Sequence, residues 1–269
     1  MIIDFHAHVF PDKIAAATVK MLGESCNIPS FSDGTVKGLT ERLNTAGVDI
    51  AVNLPAITKP SQFESVLSFA KSLNETEYPT GRIISFAGMH PDCDDIDGKL
   101  AFVKEQGFKG IKIHPDYQHT FFDDEKYVKI IASAKKYGLI VTTHAGLDAA
   151  FVGEPVKCTP DRVLRLLDRV GGYDRLVLAH YGGITFFEEV YDRLAGEDIY
   201  LDTAYVLDKI SAETFMKILD KHGRSRVLFV TDSPWQDIAS DVERLRALGL
   251  DPETEDMLFS KNAVKLLGI

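Results

Sequence analysis

The chain has 269 residues, enough for one large domain or two small ones, and its 45% hydrophobic and 26% charged residues are ordinary for a globular protein. A formal net charge of −10 argues against nucleic acid as a partner, since phosphate binding needs clustered Lys and Arg. No apolar run is long enough for a membrane span, the first residues lack a signal-peptide pattern, and Cys26, Cys93 and Cys158 show no CxxC spacing, which together fit a reduced, cytoplasmic protein.

Taken in chain order, eight short apolar runs read as strands: residues 2–8, 50–54, 83–89, 110–114, 139–144, 176–180, 199–202 and 227–232. Helix-like amphipathic segments follow them at 63–74, 99–106, 127–137, 160–170, 186–195, 212–222 and 238–248. Thr159-Pro160-Asp161 and Ser211 supply helix caps. Alternating strands and helices imply a parallel sheet with right-handed crossovers, and eight such units imply a closed (β/α)8 TIM barrel within one domain spanning 1–269. The stretch from residue 10 to 40 reads as a long loop with a short helix at 13–22, placed to act as a lid or substrate wall. Residues 257–269, with Ser260-Lys261-Asn262 opening a helix, are expected to pack on the outside of the barrel.

The strand ends carry the chemistry. His6 and His8 are two apart on the first strand, so they point the same way, about 7 Å apart, and can grip one metal ion. His144 and His180 end the fifth and sixth strands, and Asp232 ends the eighth. In a barrel all these ends share one rim, where active sites are built. Lys112 and His114 share a parity on the fourth strand, so both should face the interior. His90 ends the third strand on the same rim and is placed, with His114 and Trp235, against substrate. Asp4 shares the parity of His6 but lies deeper, where it needs a buried partner. His119 and His222 have no strand-end context and read as surface residues.

This set resembles the metal-dependent amidohydrolase superfamily. The stretch Phe108–Pro115 (FKGIKIHP), Thr231-Asp232-Ser233-Pro234-Trp235 and the Asn262-Ala263 terminal helix resemble its family 2 branch, which includes the aminocarboxymuconate-semialdehyde decarboxylase type. The resemblance implies one divalent metal held by His6, His8, His144 and Asp232, with Zn²⁺ first and Mn²⁺ or Fe²⁺ also suited. A two-metal arrangement would recruit Lys112 and His180. The resemblance implies hydrolysis of a C–N or C–O bond in a small molecule by a metal-activated water. Asp232 would take the proton and His180 would polarise or protonate. The alternative is metal-dependent, non-oxidative decarboxylation of an unsaturated or aromatic acid. A catalytically silent binding barrel is disfavoured, because barrel stability does not require three rim histidines and an aspartate. Homo-oligomerisation stays open.

Overall fold

The computed structural model describes residues 1–78 and 81–269. Among the described residues nine parallel strands run in order: β1 (Ile3–Ala7), β2 (Ile50–Asn53), β3 (Arg82–Ser85), β4 (Ala87–Gly88), β5 (Gly110–Ile113), β6 (Ile140–Thr143), β7 (Leu176–Leu178), β8 (Tyr200–Asp202) and β9 (Val227–Leu228). Two ladders result, β1-β2-β3 and β4 through β9 in sequence order. The third predicted strand is therefore split at Phe86. The Asn74 side chain explains the break: it accepts from the Ser85 amide at 2.7 Å and donates to the Ser85 carbonyl at 3.0 Å, taking the groups a ladder would use.

Backbone hydrogen bonds join the two ladders into a ring. On one side Phe86 donates to the Asn53 carbonyl at 3.0 Å and Met89 to that of Lys112 at 3.1 Å, so one segment bridges β2 and β5. On the other, Phe5 donates to the Phe229 carbonyl at 3.2 Å, Asp232 to that of His6 at 2.8 Å and His8 to that of Ser233 at 2.7 Å. The last strand thus returns to the first, and the α/β architecture is that of a TIM barrel.

Side chains segregate as the two-residue period requires. Val52, Ile84, Ile140, Val177, Tyr200 and Leu228 pack with one another in an inner cluster, while Ala51, Ile83, Val141, Leu176, Leu201 and Val227 pack outward with the helices. The terminal helix Asn262–Leu267 corrects an expectation. It does not lie on the outer wall: Ala263, Leu266 and Leu267 join the inner cluster. Asn262 donates to the carbonyls of Arg224 and Val227, both at 2.8 Å, so the helix seals the end of the barrel where strands begin. Its apolar face finds the unfilled mouth of the interior there.

The segment after β1 is also more ordered than a loop. It is helical over Asp12–Cys26 and again over Val36–Ala46. In the second helix Leu39 and Leu43 are buried one turn apart, Thr35 caps the Gly38 amide, and Gly47 ends it at φ 68°. His222 is a further correction, since it is buried. It sits in the last turn of the helix Ala212–His222, where Nε2 contacts the Ile199 carbonyl at 3.1 Å and Nδ1 accepts from Gly196 at 3.3 Å.

Gly146 shows how tightly two rim loops are tied. Its φ is +89°, and a Cβ there would lie 2.3 Å from the Ile184 amide nitrogen. Leu147 donates to the Ile184 carbonyl at 3.1 Å, and Ile184 donates to that of Ala145 at 3.2 Å. Gly146→Ala should destabilise the fold by about 3 kcal/mol or more, adding backbone strain to a clash that nothing flexible can relieve. Denaturant unfolding checks this; a loss below about 1 kcal/mol would mean the loops part easily.

Candidate metal centre

Three donors meet at the strand ends. His8 Nε2 lies 3.0 Å and His6 Nε2 3.6 Å from Asp232 Oδ1, and one donor atom from each residue lies within 4.8 Å of the others. Asp232 reaches them because its backbone is left-handed, φ 67°, and its amide bonds to the His6 carbonyl. His180 is left-handed too, φ 58°. Strain held at two rim residues of this kind marks functional positions more often than structural ones.

Their tautomers suit a divalent ion. His6 Nδ1 faces Asp202 Oδ2 at 3.0 Å, so Nδ1–H donates to the carboxylate and the Nε2 lone pair is left facing Asp232. A carboxylate behind an imidazole is the usual support for a metal-binding histidine. Burial, reinforced by Lys112, holds His6 well below its ordinary pKa and so keeps it neutral. Asp202 also accepts from the amides of His180 at 2.9 Å and Ala204 at 3.0 Å. One carboxylate therefore positions two rim histidines, although burial pushes its own pKa up. Asp202→Asn should lower divalent-metal affinity by about 10–100-fold with the fold intact. Isothermal titration with Zn²⁺ measures it, and an unchanged affinity would remove Asp202 from the centre.

Lys112 stands on the other side of His6. Its Nζ donates to His6 Nε2 at 3.0 Å, and burial lowers its pKa despite the opposing charges of Asp232 and Asp202. An ammonium and a metal ion compete for that one lone pair.

His144 is not among those three converging donors, although it lines the same cavity. Its nearest polar neighbours are His180, with Nδ1 2.9 Å from His180 Nε2, and His114, stacked on it with ring centroids 4.5 Å apart. His180 Nδ1 donates to the Ala204 carbonyl at 2.9 Å, so neutral His180 accepts at Nε2, and His144 must donate from Nδ1. The His144 Nε2 is then an unprotonated lone pair, and it is buried with no partner. A second three-donor group forms here from His114, His144 and Asp148.

These groups share one cavity of about 560 Å³ at the rim. His6, His8, Lys112, His114, His144, His180 and Asp232 all line it, as does Trp235. Ile14, Met21 and Leu22 of the first rim helix form an apolar wall of this cavity, with Thr18 beside them. His90 lies outside the lining; it is buried, and its Nδ1 accepts from the Asp92 amide at 3.1 Å. His119 is exposed, as read. Asp4 finds the partner it needs in Thr231, whose hydroxyl donates at 2.6 Å and amide at 3.0 Å. Burial raises the Asp4 pKa to about 7.

Asp202 and Asp148 were not singled out from the sequence. Asp202 ends the seventh predicted strand just as Asp232 ends the eighth, so its placement was signalled. Asp148 sits on a loop, capping the short turn Ala149–Phe151, with no periodic signal.

A family model described as amidohydrolase matches residues 3–269. The chain belongs to amidohydrolase family 2. No curated protein sequence matches this amidohydrolase. Among solved structures it is similar to 2,6-dihydroxybenzoate decarboxylase complexed with 2,6-dihydroxybenzoate, at 17% identity and TM-score 0.73, covering 100% of this chain and 99% of that one. It is similar to dihydroxybenzoic acid decarboxylase of Polaromonas sp. JS666, which holds manganese, at 15% identity and TM-score 0.75, covering 99% and 96%. A candidate 2-pyrone-4,6-dicarboxylic acid hydrolase of Pseudomonas putida matches at 17% identity and TM-score 0.67, covering 99% and 97%. At these identities the likeness is one of fold. No helix among the described residues of this amidohydrolase is long and apolar enough to cross a membrane.

Proposed function

We propose that this amidohydrolase is a metal-dependent hydrolase that cleaves a C–N or C–O bond in a small molecule that is neutral or carries one negative charge. The observation that carries the reading is the charge balance of the cavity. Asp148 and Asp232 line it, and Lys112 is the single Lys or Arg among the described lining residues. Without an arginine clamp, and with the two carboxylates set against Lys112 and one bound dication, the cavity would carry about one net positive charge, which suits a neutral or singly charged molecule better than a multiply charged acid.

His6, His8 and Asp232 would hold the ion together with His144, whose unpartnered Nε2 is buried on the same cavity, leaving a position open as catalytic sites do. Zn²⁺ suits two imidazoles and a carboxylate, as do Mn²⁺ and Fe²⁺. When bound, the ion supplies Lewis acidity, polarising a carbonyl or acidifying a water. Asp232 accepts a proton at its carboxylate. His180 can take up a proton and return it at Nε2, the nitrogen that is unprotonated and accepts from His144 Nδ1 at rest. The apolar wall excludes bulk water, which strengthens these polar effects.

The second reading is decarboxylation. It is favoured by Lys112, a buried cation that can pair with one carboxylate, and by the decarboxylases among the neighbours of like fold. A product assay separates the two. The purified protein with added Zn²⁺ or Mn²⁺ is offered amides, lactones and carboxylated aromatics. Hydrolysis predicts cleaved or ring-opened products carrying oxygen from labelled water. Release of CO₂ from the carboxylated aromatics, with the amides and lactones untouched, overturns it.

A further inference from the structure

We infer that the cavity takes a substrate bearing an alkyl or acyl chain of several carbons, seated between the helices Asp12–Cys26 and Phe63–Glu75, which rests on the strand-end cluster being the reacting centre. The cavity is two-sided. Its strand-end half carries the ionisable groups and Tyr117, whose ring meets His114 edge-on with centroids 4.7 Å apart. Its other half is lined by Ile14, Met21 and Leu22 of the first helix and by Val66 and Phe69 of the second.

Each helix carries these side chains beside the face it packs on the fold. The first buries Ala15 and Val19, and Ile14, Met21 and Leu22 fall on the adjoining face. The second buries Phe63, Leu67 and Ala70, and turns Val66 and Phe69 to the cavity. Packing of the fold therefore explains one apolar face of each helix and leaves the other uncovered. Ile14 is 51% and Met21 59% exposed. Contiguous apolar surface left open in this way marks a binding groove, whereas scattered exposed residues do not. The stripes are continuous with the cavity that holds His6, His8 and Asp232, so a chain attached to the reacting group reaches them directly.

The polar groups on this side are already engaged. Gln62 Oε1 accepts from the amides of Thr58 at 2.7 Å and Lys59 at 3.0 Å, and Ser65 Oγ donates to the Gln62 carbonyl at 3.1 Å. They are spent on their own turn, which leaves apolar contact as the recognition on offer. Of the five apolar side chains only Phe69 is aromatic, so no pair of rings is set to sandwich an aromatic group, and the seat suits an aliphatic chain. Its length fits one too, since Ile14 to Leu22 runs about 12 Å along the helix axis. The whole cavity, about 560 Å³, is of a size that holds more than a two-carbon acid.

A chain-length series reads the seat without reference to turnover. Straight-chain carboxylates from butanoate to octanoate are titrated by calorimetry into zinc-loaded protein, and again after chelation. Each buried methylene adds about fourfold in affinity, so octanoate, four methylenes longer, should bind on the order of 100-fold tighter than butanoate. Phe69→Ala and Met21→Glu should each cut that ratio below about tenfold, with zinc affinity and melting temperature near wild type. Ile14→Glu replaces Phe69→Ala if that variant does not fold. The inference is overturned if wild type binds the two acids within about threefold, or if the full ratio survives in both folded variants. A flat series together with a dimer that Met21→Glu disperses overturns it as well, since a second copy then covers the stripes. The two readings fail separately. A steep series in protein that binds no zinc keeps the seat and removes the metal-dependent reaction, and a flat series in protein that binds zinc removes the seat alone.

Discussion

Asp232→Asn should weaken binding at the His6 and His8 centre by about a hundredfold or more and abolish turnover, with the barrel still folded. Asp232 is the one carboxylate in that group, 3.0 Å from His8 Nε2 and 3.6 Å from His6 Nε2. Losing one partner of a buried charge interaction costs about 3–5 kcal/mol, which sets the magnitude. Asn isolates the charge effect. It is nearly isosteric, it tolerates the left-handed backbone at φ 67°, and the amide bond to the His6 carbonyl does not involve the side chain. Calorimetric titration with Zn²⁺ reads the affinity, and unfolding in denaturant reads the fold. Loss of stability without loss of metal would make Asp232 a structural residue.

His180→Asn should separate chemistry from binding. A positioned acid or base typically contributes about 10²–10⁴-fold in rate, and kcat should fall by that range. Metal content at the His6 centre should stay at the wild-type level, because His180 is not one of the three converging donors. Two features make His180 suited to proton transfer. Its Nδ1–H is committed to the Ala204 carbonyl, which leaves Nε2 as the nitrogen that gains and loses a proton. Burial lowers its pKa more than the charge of Asp232 raises it, so the ring rests neutral and gives up an acquired proton readily. Asn again accommodates the left-handed backbone. An unchanged kcat would remove His180 from the chemistry, and a lost ion would make it a ligand.

The strand ends were legible because barrel topology gives them one destination. Apolar runs ending in His6, His144, His180 and Asp232 need only the two-residue period and a common rim to be brought together. Partner choice was less legible. His144 ends the right strand, and its contacts are with His180 at Nδ1 and with the His114 ring. That outcome depends on a tautomer chain beginning at the Ala204 carbonyl, which no spacing encodes. Asp202 carried the same strand-end signal as Asp232, but its role lies behind His6, where only three-dimensional packing reveals a supporting carboxylate. Asp148 and Tyr117 come from loops, where neither period applies. The helix Val36–Ala46 could have been read from Leu39 and Leu43, the Thr35 cap and Gly47; the surrounding Gly, Ser and Thr obscured it. The terminal helix Asn262–Leu267 was expected correctly as an element and wrongly as to its seat, because an apolar stripe does not say which apolar surface it meets.

We propose that His6, His8 and Asp232 take part in holding a divalent metal ion at the rim of the barrel. Anomalous diffraction from crystals soaked in Zn²⁺ addresses it most directly. A peak at the zinc edge should lie about 2.0–2.2 Å from His6 Nε2, His8 Nε2 and an Asp232 oxygen, with Lys112 Nζ displaced from His6. No peak there, with Lys112 Nζ still donating to His6 Nε2, would contradict it.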